Sequence, residues 1–286
     1  MLLSYRQSFQ HKDDIGDYCQ LQTTTFKRHQ TSLAPLGKLQ TKDKMTAEFT
    51  VGVLALQGAF IEHVNLLKAA RNAVSFSYDI IEVRTVEELN KCSALIIPGG
   101  ESTTISLVAQ RTGLLEPLRE FVKVQRKPTW GTCAGMILLS EQANRTKKGG
   151  QELIGGLDVR INRNQFGGQQ ESFETFLDLD FIDRPEEKFP SLFIRAPIVE
   201  SLLPGTPLED AVSAPGEHGE GQVKALVRLP KKTISEVGNA GGETTDIVAV
   251  QQANVVGMSF HPELSSDFRM HQWWVEKCVY PAIKNA

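Results

Sequence analysis

The sequence predicts an α/β fold: a mixed, mainly parallel β-sheet flanked by helices. Three observations carry that expectation. Short apolar β runs alternate with segments of helical spacing through the first half of the chain. The breaks at Gln57-Gly58, at Gly99–Ser102 and at Cys133 each follow such a run, where a doubly wound sheet places its ligand site. The second half keeps the strands with few helices between them, so part of the sheet should be antiparallel.

The elements follow in order. Residues 1–48 are rich in Gln, Thr, Ser, Lys, Arg and His, and their apolar residues show no period of two or 3.6. Seven basic residues stand against four Asp in 1–44, more acid than a transit peptide carries. The expectation is a disordered or targeting extension at 1–48, with Met45 a possible functional start. A single domain would then occupy 49–286. Thr50–Leu56 reads as a buried strand and Ala59–Arg71 as a helix, with Phe60, Val64, Leu67 and Ala70 on one face. Tyr78–Val83 is a strand, Val86–Lys91 a short helix and Ala94–Ile97 a strand. Thr104–Arg111 and Leu114–Val124 are helices, Thr129–Gly131 a short strand and Ala134–Gln142 a helix. Further strands are expected at Leu157–Ile161, Phe173–Leu179, Ser191–Ile194, Val223–Leu229, Asp246–Gln251 and Val255–Phe260. Ser266–Val279 closes the chain as an amphipathic helix. Gly205–Gly221 and Lys231–Thr245 are rich in Gly, Pro, Ser and charge, so 205–245 reads as two mobile loops around one strand.

Composition narrows the function. The 286 residues are 41% apolar and 23% charged, enough for a core. A net charge of -3 and a pI near 6.1 argue against nucleic acid or membrane as partner. No run of ~18 apolar residues exists to span a bilayer. Cys19, Cys92, Cys133 and Cys278 are widely spaced without a CxxC. That excludes a disulfide scaffold and a zinc ribbon, and fits a reducing, cytoplasmic compartment.

The strongest local signal is Gly131-Thr132-Cys133-Ala134-Gly135, between a strand and an apolar helix. A nucleophile flanked by small residues on a sharp strand-to-helix turn is held exposed, and the helix N-terminus favours thiolate. Taken alone, a buried structural cysteine is an equal reading. Phe260-His261-Pro262-Glu263 offers the base such a thiol needs. His261 and Glu263, two apart on extended chain, would point the same way, and the carboxylate would fix the imidazole's tautomer. Pro98-Gly99-Gly100-Glu101-Ser102-Thr103 could bring backbone N–H groups to an oxyanion, together with the N–H of Ala134. Its plainer reading is a strand-to-helix turn capped by Ser102 or Thr103. There is no GxxxxGK[ST] phosphate loop. His63, His218 and His271 lack such a setting and read as solvated or packed, and His11 and His29 lie in the tail.

These pieces, in this order, resemble the class I, triad-type glutamine amidotransferases, of flavodoxin-like architecture. Leu56-Gln57-Gly58, Pro98–Thr104 (PGGESTT), Gly131–Gly135 (GTCAG), Arg163-Asn164-Gln165-Phe166-Gly167, Ser172-Phe173, Phe193–Pro197 (FIRAP) and Ser259–Glu263 (SFHPE) are similar to the glutaminase subunits of pyridoxal 5′-phosphate synthases. The match covers about 50–203 and 247–280. The 1–48 tail, extra residues near 72–79, the Asn144–Gly150 loop and the 205–245 excursion depart from the family without interrupting a motif.

The resemblance implies Cys133 as nucleophile, His261 as general base and acid, and Glu263 as its orienter. It implies that Gly100, Glu101, Ser102, Arg163, Ile194 and Arg195 hold L-glutamine, that Gly100 and Ala134 form the oxyanion hole, and that Gln57 lies near a partner interface. A guanidinium suits the α-carboxylate of that substrate. The implied partner is a synthase subunit that takes the ammonia in a hetero-oligomer. The chemistry calls for no metal and no cofactor. A glutaminase for imidazole glycerol phosphate synthesis, a non-catalytic protein of the same fold and a γ-glutamyl peptidase are the rival readings. The paired glycines at Gly99-Gly100 suggest a peptide that can flip, so a partner-dependent, weak glutaminase is expected of the isolated chain.

Overall fold

Residues 48–144, 151–163, 172–203, 211–215, 221–230, 233 and 244–285 are described by the structure, a computed structural model. The targeting or disordered extension expected at 1–48 therefore lies, but for residue 48, outside the described residues, as do His11, His29 and His218.

The apolar runs pair as expected. β1 (Phe49–Leu54), β2 (Tyr78–Val83), β3 (Ala94–Ile97), β4 (Thr129–Thr132) and β13 (Val255–Met258) are neighbours in parallel. β12 (Ile247–Gln252) and β11 (Lys224–Arg228) extend the sheet antiparallel. The order is β11-β12-β13-β4-β3-β1-β2. Central strands are buried on both faces, which is why β3 and β13 read as continuous apolar runs. One face packs Val53, Ile96, Trp130 and Val256 against α1 (Phe60–Arg71) and the C-terminal helical segment. The other packs Leu54, Leu95, Ile97 and Val255 against α3 (Ser102–Arg111), α4 (Leu115–Arg119) and α5 (Ala134–Leu139). A five-residue helix, α2 (Val86–Asn90), is closed by a capping box between Thr85 and Glu88.

Three expectations are corrected. The helix expected over Ala134–Gln142 ends at Leu139, and Ser140–Asn144 is β5. Ser140 turns the chain by donating its hydroxyl to the Ile137 carbonyl, and β5 pairs in parallel with β6 (Leu157–Asn162). Tertiary pairing overrides the helical preference of Glu141-Gln142-Ala143, and buried Glu141 meets Lys123 at 2.9 Å. A second correction is β9 (Ile198–Leu202), which the sequence reading left without structure; it pairs antiparallel with β6. The third lies in the excursion. Ala211–Ser213 is a strand, β10, paired with β5, so at least two strands stand there. A separate ribbon joins β7 (Ser172–Leu177) to β8 (Phe189–Ile194). The closing helix starts at Arg269 and runs through a π-helical stretch, Trp274–Val279, to Lys284.

Candidate active site

β3, β4 and β13 are adjacent, and their carboxyl ends deliver Gly99, Cys133 and His261 to one edge of the sheet. Cys133 sits where β4 becomes α5, with φ 47° and ψ -100°. A non-glycine residue in that region costs of order 1–3 kcal/mol and persists only where its surroundings hold it. Here the Cys133 N–H donates to the Met258 carbonyl at 2.7 Å and the Cys133 carbonyl starts α5. The flanking glycines are required by close approach. A Cβ on Gly131 would lie 2.4 Å from the Gly135 carbonyl carbon, and one on Gly135 would lie 2.0 Å from the Ile97 oxygen. Backbone cannot yield as a side-chain tip can. Gly135→Ala is therefore expected to cost at least about 2 kcal/mol, the range of core overpacking. Chemical denaturation checks this; an unchanged midpoint would show that α5 slides freely on the sheet.

His261 follows β13, its N–H donating to Leu192 of β8 at 2.9 Å. Its Nδ1 lies 2.8 Å from Glu263 Oε1. The sequence reading reached this pair by an extended chain; instead Pro262–Leu264 is a 3₁₀ turn, with proline at its first position, that folds Glu263 back under the ring. With Nδ1 given to the carboxylate, Nε2 is the nitrogen left for the thiol. The ring also fills the space beside Gly99, where a Cβ would stand 2.3 Å from Cε1. Burial alone would lower the proton affinity of His261. The hydrogen bond to Cys133 and that to Glu263 outweigh it, and push the pKa up to about 10. The imidazole thus holds a proton at neutral pH.

Behind Glu263 lies a feature the sequence reading passed over. His63 and His271, read as solvated or packed, are packed, and fully buried. His63 Nδ1 is 2.9 Å from His271 Nε2, and His63 Nε2 is 3.1 Å from Thr132 Oγ1 and 3.4 Å from Glu263 Oε2. The available signal was position: His63 shares the buried face of α1 with Val64, Leu67 and Ala70.

The glycine loop and Arg163 form the other wall. Glu101, not Ser102 or Thr103, caps α3, accepting from the N–H groups of Thr103 and Thr104 at 3.0 and 2.6 Å. Burial would raise its carboxyl pKa, but these bonds and the Thr104 hydroxyl win, and it is lowered. Gln57 Oε1 accepts from the Glu101 N–H at 2.8 Å, and occupies the place a Gly100 side chain would need. Gln151, which the sequence reading missed, accepts from Ser102 Oγ, Thr103 Oγ1 and Arg163 Nη1 at 2.9, 3.2 and 2.8 Å. Arg163 is buried, and its Nε and Nη2 have no partner among the described residues. Burial lowers its pKa, with Glu101 opposing. Ile194 ends β8, and Arg195 stands exposed beyond it with φ 44°. Ala134 opens α5 and is buried. Asn164–Gly167 lie outside the described residues. Among the described residues no three His, Cys, Asp or Glu are grouped as for a metal ion, and no helix is long and apolar enough to cross a membrane.

A parallel sheet that sets a thiol on a strained turn beside an imidazole–carboxylate pair is the arrangement of thiol-dependent acyl transfer. Residues 53–280 match the model of the SNO glutamine amidotransferase family. Pyridoxal 5′-phosphate synthase subunit SNO1 of Saccharomyces cerevisiae is 42% identical over 80% of this chain and 92% of its own length. The probable pyridoxal 5′-phosphate synthase subunit PDX2 of Arabidopsis thaliana is 41% identical over 79% and 85%. Subunit PdxT of Thermococcus onnurineus is 37% identical over 80% and 98%. A crystal structure of a glutamine amidotransferase superposes with a TM-score of 0.58 at 37% identity, covering 79% of this chain and 97% of the other. The chain belongs to the SNO glutamine amidotransferase family.

Proposed function

We propose that this chain hydrolyses L-glutamine at Cys133 and delivers the ammonia to a synthase subunit that builds pyridoxal 5′-phosphate. The observation that carries the reading is the contact of strained Cys133 with an imidazole held by Glu263, at the ends of neighbouring strands. The Cys133 thiolate attacks the side-chain amide carbon. The oxyanion is received by the N–H groups of Gly100 and Ala134. His261 gives its Nε2 proton to the departing ammonia, leaving a γ-glutamyl thioester. Water then gives a proton to His261, attacks the thioester and releases glutamate. Arg163 supports the substrate assignment. A buried guanidinium with two unpartnered nitrogens is costly unless a carboxylate completes it, and glutamine brings one. Glu101, Ser102, Ile194 and Arg195 complete that wall.

The partner follows from the relatives, which are subunits of pyridoxal 5′-phosphate synthases. Ammonia at neutral pH is mostly ammonium, so delivery to a synthase needs a closed path and a glutaminase that waits for it. The Gly99 carbonyl accepts from the Ala59 N–H at 3.0 Å, which fixes the direction of the Gly99–Gly100 peptide. Turning that peptide requires giving up this bond at the start of α1, next to Gln57. Losing one oxyanion donor costs about a hundredfold in rate. The test is ammonia release by the purified chain, alone and with a synthase subunit. A rise of about a hundredfold on mixing is expected. Equal rates would remove the gating, and no glutamine hydrolysis in either arm would remove the function.

A further inference from the structure

We infer that His63 is a positioning residue for Glu263, and that His271 fixes the tautomer in which it does so; this rests on the glutaminase reading of Cys133, His261 and Glu263. Glu263 is buried and its Oε1 serves His261. Oε2 has no hydrogen-bond partner among the described residues, yet His63 Nε2 stands 3.4 Å away. The same nitrogen lies 3.1 Å from Thr132 Oγ1, on the residue before Cys133. Whether His63 helps or harms the carboxylate depends on which nitrogen carries its proton.

Two tautomer chains are compatible with these distances. In one, His271 Nε2–H donates to His63 Nδ1, and His63 Nε2–H faces Thr132 Oγ1 and Glu263 Oε2. In the other, His63 Nδ1–H donates to His271 Nε2, and a bare Nε2 lone pair faces the carboxylate. The orphaned atom decides. His271 Nδ1 is buried without a partner among the described residues. In the first chain it is an unused acceptor. In the second it is an unmade N–H donor in the core, and the lone pair also repels Glu263. Leaving a buried donor unmade is the dearer fault. The first chain is therefore the one the surroundings select, and it aims an N–H at the carboxylate edge that His261 does not use.

The groups that face this row are known. His261 and His63 face Glu263; His271, His261 and Thr132 face His63; Asp267 is the charged group that acts on His271. Burial drives both inner histidines toward the neutral form, far down for His63 and to about 3 for His271. Trp130 seals the pair, its ring 5.6 Å from His63 and 4.9 Å from His271, edge-on to both. His63 comes from α1 and His271 from the C-terminal helix, so both elements meet the site through one carboxylate.

Two measurements test this. The first uses the unmodified protein with ¹⁵N-labelled histidine. His63 and His271 should both be neutral with the proton on Nε2 at neutral pH. A proton on His63 Nδ1 overturns the proposal, whatever the enzyme's activity. The second compares His63→Phe and His63→Gln in the complex with synthase. Losing one hydrogen bond to a charge should lower kcat about tenfold to a hundredfold in the Phe variant, with KM within about twofold. Losing a donor to this buried carboxylate should also move the acid limb of kcat to higher pH. The Gln variant, whose amide N–H reaches to the place of Nε2, should recover rate and limb in part. Should the Phe variant fail to fold, the tautomer and the Gln variant still decide. A folded Phe variant with native kcat and acid limb would reduce His63 to packing, while a wild-type chain inert toward glutamine would instead remove the reading beneath it.

Discussion

Replacing Cys133 with alanine is expected to leave a folded protein that no longer hydrolyses glutamine. The loss should approach the ~10⁵–10⁶-fold seen when a covalent nucleophile is removed from an assembled hydrolytic site. Folding should survive because the bonds that hold the turn are backbone ones, from the Cys133 N–H to the Met258 carbonyl and from the Ile137 N–H to the Cys133 carbonyl. The core loses one sulfur atom at the edge of the sheet. Glutamate release and circular dichroism on the same sample check both halves. A folded alanine variant with substantial glutaminase activity would end the assignment.

Glu263→Gln should have the next largest effect. The carboxylate supports the protonated imidazole and fixes which nitrogen faces the sulfur. An amide of the same shape does neither, and loss of the equivalent orienter in a serine triad lowers kcat about 10⁴-fold. KM should change little, since Glu263 acts on His261 and is not among the residues assigned to hold glutamine. The pKa of His261 should fall from about 10 toward the ordinary histidine range. A raised folded-state pKa contributes stability that is complete below the unfolded value of about 6.5 and is lost as the pH rises through about 10. The variant should therefore lose stability most below about pH 6.5 and least above about pH 10. Histidine titration by NMR and denaturation against pH measure these; a His261 pKa still near 10 in the variant would contradict the role given to Glu263.

The parallel half of the sheet was legible because buried strands are short apolar runs ended by glycine, as at Ala94–Ile97 before Pro98-Gly99. The same logic placed Gly99, Cys133 and His261 together, because adjacent parallel strands end at one edge. Less could be read where pairing, not pattern, decides. Ser140–Asn144 carries a helix-like composition and becomes a strand against Leu157–Asn162. Ala211–Ser213 is three residues inside a polar excursion, and only its partner β5 makes it a strand. The Glu263 carboxylate was read correctly as the partner of His261, but by the wrong backbone, since Pro262 starts a turn. His63 and His271 are 208 residues apart, and no local period couples a histidine in α1 to one in the last helix. Gln151 was invisible for the same reason: its three donors come from the glycine-loop side and from Arg163.

The most direct test of the central claim is where an electrophilic glutamine analogue, such as a chloroketone, attaches. The protein holds three free cysteines among the described residues. Burial pushes the Cys92 and Cys278 thiols up to about 12, and neither faces an imidazole. Cys133 alone among them contacts His261, beneath a wall whose Arg163 has two nitrogens without a partner among the described residues. Peptide mapping after treatment should find the adduct on Cys133, should find it suppressed by excess glutamine, and should find glutaminase activity lost in proportion. An adduct on Cys92, Cys278 or Cys19 with Cys133 unmodified, or full activity after complete labelling of Cys133, would contradict the account.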